Sequence, residues 1–142
     1  MLTAVIAVSG AATINTEPIA YGQITGETVE AEKVAISVSG TESIVREYFK
    51  DIPVMVAVAK CESHFRHELS DGSILKGRVD SADTGVMQIN KRYHEKRALE
   101  LGLDLDNIYD NLAYARYLYE KQGTKPWNAS SACWSKTLAY NG

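Results

Sequence analysis

The chain has 142 residues, 45% of them apolar and 23% charged, with a net charge of −3. That balance excludes wholesale disorder, a collagenous repeat and a disulfide-dense miniprotein, and the length suits one domain with a tail. A net negative chain is no generic nucleic-acid binder, and no uninterrupted apolar run reaches the roughly 18 residues of a membrane span.

The charge is unevenly placed. Residues 1–40 hold Glu17, Glu27, Glu30 and Glu32 against Lys33 alone, whereas residues 41–142 carry equal numbers of each sign. The division is therefore an N-terminal segment over 1–40 and a folded domain over 41–142. Leu2–Val8 is apolar and the small residues Ser9–Ala12 follow, which is like the end of an export signal without its basic lead. Val34, Ile36 and Val38 alternate as in a strand, inside what otherwise reads as a linker.

Thr41-Glu42-Ser43 opens a helix with Ile44, Val45, Tyr48 and Phe49 on one face. Asp51-Ile52-Pro53 restarts the chain, with Asp as cap and Pro in a first turn. Val54–Ala59 is apolar on almost every side, so this helix is buried, and it delivers Glu62 at its end. Between His64 and Asp83 the periodicity vanishes, and Ile74, Leu75 and Val79 suit a small hairpin or an irregular loop. Gly85–Asn90 is a short apolar strip. A helix is expected over Tyr93–Leu101, ended by Gly102, and another opened by Asp106 and closed by Gly123. In the latter, Ile108, Leu112, Ala115, Leu118 and Tyr119 share a face. Pro126, Trp127 and Trp134 mark a compact C-terminal segment. The reading is mainly α, with one loop or hairpin excursion.

Three stretches together resemble the lysozyme superfamily over about residues 41–134. Ala59-Lys60-Cys61-Glu62-Ser63-His64-Phe65 resembles the Glu-Ser signature of lytic transglycosylases and lysozymes. Asp83–Asn90 resembles both the Gly-x-Met-Gln block of transglycosylases and the Asp-x-Gly-x-x-Gln-Ile-Asn block of chicken-type lysozymes. Lys91-Arg92-Tyr93-His94 continues as in goose-type lysozymes, and Asn111–Leu118 resembles a transglycosylase helix. One element departs from the pattern. Where transglycosylases carry Tyr-Asn-Ala-Gly, this chain has Pro126–Trp134, and its nearest literal match is Ala139–Gly142.

The resemblance implies a lysozyme-like α+β fold, a helical domain with a small hairpin or loop beside a cleft. It also implies an exported enzyme cutting the β-1,4 bond between N-acetylmuramic acid and N-acetylglucosamine in peptidoglycan. Glu62 would be the general acid, its charged form disfavoured by the apolar helix, as for the catalytic acid of lysozymes. Asp83 is either a second catalytic carboxylate or a turn residue, with Asp80 as its nearby substitute. Ser63, Gln88, Asn90, Tyr93, Tyr114 and Trp127 are candidate glycan contacts, whereas Tyr109, Tyr117, Tyr119 and Met87 are expected to pack. Cys61 and Cys133 suit a disulfide in an exported protein, or else are two buried thiols. His64, His67 and His94 lack a metal motif, and no metal or cofactor is expected. The expected partner is the glycan strand, bound by a monomer. The lean is to a transglycosylase, with a hydrolase using Asp83 or an inactive glycan-binding module as alternatives.

Overall fold

A computed structural model describes residues 40–140. The signal-like start, the Val34–Val38 strip and the end of the Ala139–Gly142 element lie outside the described residues. Helix α1 occupies 40–48 and, with Phe49 after it, turns Val45 and Phe49 fully into the core.

Helix α2, Pro53–Ser63, has Pro in its first turn as expected. Its cap is Ile52, which gives no side-chain bond, and not Asp51. The Asp51 carboxylate is drawn instead to Arg116, which grips both its oxygens at 2.9 and 2.8 Å. Met55, Val58 and Ala59 are fully buried, so α2 is the central core helix. His64 ends it in the left-handed region (φ 54°), its N–H bonding the Lys60 carbonyl at 3.0 Å.

The chain then runs irregularly to a minimal antiparallel sheet. Strand β1, Asp83–Thr84, pairs with β2, Ile89–Asn90, placing Asp83 opposite Asn90 and Thr84 opposite Ile89. Single bridges, Glu68 to Ile74 and Lys76 to Thr84, make the expected excursion a loosely laddered loop, with Val79 fully exposed. Gly85 starts the turn between the strands at φ +70°. A Cβ there would lie 2.6 Å from Asn111 Nδ2 and 2.7 Å from His67 Cε1, so no side chain fits.

Helix α3, Lys91–Glu100, starts two residues before its expected position because Asn90 caps it, accepting the Arg92 N–H at 3.1 Å. Gly102 follows at φ +74°. Helix α4, Ile108–Gln122, is capped by Asn107, not Asp106. Asp106 is committed elsewhere, accepting from Thr84 at 2.9 Å and Lys91 at 2.7 Å. A 3-10 turn, Lys125–Ser130, leads into α5, Ser131–Tyr140. Cys61 and Cys133 form a disulfide between α2 and α5, with Cα atoms 6.0 Å apart.

The described part is thus mainly helical around one core, into which Phe65, Met87, Leu112, Ala115, Leu118 and Trp127 also pack. Met87 packs as expected, and Tyr117 and Tyr119 lie partly buried against the core; Tyr109, expected there too, is 57% exposed. No helix among the described residues is long and apolar enough to cross a membrane.

Candidate functional site

Glu62 stands on the last turn of α2, one residue before Ser63, which is buried and bonds back to the Ala59 carbonyl at 3.0 Å. The helix is apolar and packed on the side that carries Met55, Val58 and Ala59. Glu62 is left half-buried at the edge of that core. Burial raises its pKa above the ordinary value, the negative charge of Asp83 adds to the rise, and a hydrogen bond from Ser130 opposes it. Ser130 Oγ donates to Glu62 Oε1 at 2.5 Å.

Glu62 and Asp83 line one cleft of about 390 Å³, with Gln88, Asn90, Tyr93 and His94 along the sheet and α3. Trp127, Lys125 and Gln122 complete its wall. The hairpin is what brings Asp83 there. Asn90, its partner across the ladder, donates from Nδ2 to Asp83 Oδ1 at 2.8 Å and to Asp80 Oδ2 at 3.0 Å. The other Asp83 oxygen lies beside Gly77, where a Cβ would come within 3.0 Å of it. Asp80 is turned to Arg92 at 3.0 Å and to the Ala82 N–H at 2.9 Å, and is not part of the cleft wall. That Ala82 bond, with help from Asn90 and Arg92, holds the Asp80 carboxyl below its usual range. Between the two acids weighed from sequence, Asp83 is the one that shares the cleft with Glu62.

The expected contacts divide. Gln88 (at φ +49° in the hairpin turn), Asn90 and the 76% exposed Tyr93 reach the cleft. Trp127 is 3% exposed and forms part of its wall, with its Nε1–H fixed on the Met87 carbonyl at 2.9 Å. Ser63 and Tyr114 are at most 1% exposed, because helical spacing turns each into the core. Tyr114 touches the site only indirectly, its hydroxyl 3.2 Å from His94 Nδ1.

His94 on the cleft wall and Ser130 behind Glu62 escaped the sequence reading of the site. His94, weighed only as a metal ligand, lines the cleft, and burial lowers its pKa, favouring the neutral ring. Ser130 lies three residues before Cys133, and Cys61 directly precedes Glu62, so the expected disulfide already implied the approach of Ser130 to the acid. His67 is buried and spent on structure, between the Val86 N–H at 3.1 Å and the Asp106 carbonyl at 2.8 Å. Among the described residues no group of three or more His, Cys, Asp or Glu is placed to hold a metal ion. Chemically, the cleft offers a carboxyl biased toward its acid form, a second carboxylate, amide side chains and aromatic surface. No family model, no curated protein and no solved structure matches this chain at a significant level.

Proposed function

We propose that this cleft cleaves peptidoglycan glycan strands at the β-1,4 bond between N-acetylmuramic acid and N-acetylglucosamine, in a lysozyme-like domain acting by the lytic transglycosylase route. The observation that carries the reading is Glu62, an acid raised in pKa by burial on the wall of a cleft also lined by amides and aromatics. The three sequence blocks support the substrate class. Glu62 protonates the leaving glycosidic oxygen and becomes a carboxylate. That carboxylate then takes the proton from the 6-hydroxyl of the muramyl sugar as the hydroxyl oxygen attacks the anomeric carbon, leaving a 1,6-anhydro end. Gln88, Asn90 and Tyr93 hold the strand by its hydroxyls, acetamido groups and apolar faces. A disulfide and the lack of a membrane-crossing helix among the described residues are compatible with work outside the cell.

A second reading is hydrolysis with Asp83 as the second carboxylate, and one observation favours it. Asp83 lines the same cleft, and its charge contributes to the raised pKa of Glu62. Digestion of purified peptidoglycan by the full chain, followed by mass spectrometry, separates the two. Anhydromuramyl ends are the expected result. Water-added reducing ends, lost in Asp83→Asn, would replace this route by the hydrolytic one, and uncleaved strands would leave only a glycan-binding module.

A further inference from the structure

Ser130 has one hydroxyl proton and two acceptors. Its Oγ lies 2.5 Å from Glu62 Oε1 and 3.1 Å from the Trp127 carbonyl oxygen, in donor geometry toward both. A hydroxyl can serve only one of them fully at a time, while its oxygen remains free to accept. We propose that Ser130 is a positioning residue whose hydroxyl turns between the Glu62 carboxylate and the Trp127 carbonyl, so that Glu62 stays bonded in the same place in both protonation states. The inference rests on the reading of Glu62 as an acid that then becomes a base.

With Glu62 ionised, the Ser130 O–H donates to Oε1, a short charge-assisted bond. With Glu62 protonated, its own O–H donates to Ser130 Oγ, and the Ser130 proton turns to the Trp127 carbonyl. No heavy atom needs to move. The carbonyl is a fixed target, because the Trp127 indole is anchored on the Met87 carbonyl and the Trp134 Nε1–H also bonds the Trp127 oxygen at 3.1 Å. The disulfide closes the arrangement from the other side. It ties Cys61, next to Glu62, to Cys133, one turn after Ser130. An acid that must give up a proton and later accept one gains from a partner that satisfies both forms.

The test is carboxyl and carbonyl carbon NMR on the full chain, without substrate, combined with a pH profile of glycan cleavage. In the wild-type protein the Trp127 carbonyl carbon is expected to titrate with the same midpoint as the Glu62 carboxyl carbon. In Ser130→Ala the carboxylate loses its donor, so the Glu62 midpoint moves up by about one unit and the Trp127 response disappears. Ser130→Thr restores both. The alkaline limb of cleavage, which requires protonated Glu62, moves up with the midpoint in Ser130→Ala. A Trp127 carbonyl that ignores Glu62 titration in the wild-type protein would overturn the proposal, as would an unchanged midpoint in folded Ser130→Ala. Because the titration needs no substrate, a chain that cuts no glycan would sink the enzymatic reading while the NMR still decides the role of Ser130.

Discussion

Asn111 is fully buried and satisfies three backbone groups at once. Its Nδ2 donates to the carbonyls of Thr84 at 3.1 Å and Leu105 at 2.9 Å, and its Oδ1 accepts the Met87 N–H at 3.1 Å. One side chain on α4 thereby fixes the hairpin turn that carries Gln88 to the cleft. Asn111→Leu leaves three buried backbone groups without partners and is expected to cost about 3 kcal/mol in urea denaturation; a loss under about 1 kcal/mol would contradict this role. Single residues were legible where their chemistry is rare in its setting, as with a carboxylate ending an apolar helix or a lone pair of cysteines. Ser63 and Tyr114 lie in the core, because a motif names residue types without saying which way a helix turns them. Tyr109 shows the converse, since an aromatic at helical spacing can still face solvent.

The helices follow from apolar spacing and from Pro53, Gly102 and Gly123, and their existence was readable from the chain. Their first residues were less so, because Asp51 and Asp106 have better partners than a helix end. Local sequence cannot show a guanidinium 65 residues away. Arg116 spans α4 to the corner between α1 and α2, gripping Asp51 and donating to the Tyr48 carbonyl at 2.8 Å. The Arg116 hydrogen bonds hold the Asp51 carboxyl down, from 3.8 to about 2. A depressed folded value means that the pair contributes stability above the ordinary carboxylate range and loses it as pH falls through about 2. Both groups face water, so the contribution is modest and weakens with salt. Arg116→Leu is expected to shrink the fall in Tm between pH 4 and pH 2 at low salt. An unchanged fall would mean that the corner is held by packing alone.

At the scale of the molecule, the cleft is assembled from segments far apart in the chain: the end of α2, the hairpin, the start of α3, the end of α4 and the turn before α5. The disulfide closes a loop of 72 residues around most of them, worth about 4 kcal/mol in the chain-entropy description. The mainly helical architecture was legible in outline, and the cysteine pair pointed to the segment that holds Ser130, but the approach of His94 to the cleft depends on folding distances that spacing does not encode. The chemistry proposed for the cleft turns on Glu62. Its folded pKa is raised, so its ionised form costs stability as pH climbs past the ordinary carboxylate value, and an uncharged amide removes that cost. The most direct measurement is lysis of purified cell walls by full-length Glu62→Gln, with its fold checked by circular dichroism and its melting temperature at neutral pH. The expected result is a folded protein, no less stable than the wild type, whose lysis falls to background; near-normal lysis by that folded variant would show that Glu62 is not the acid.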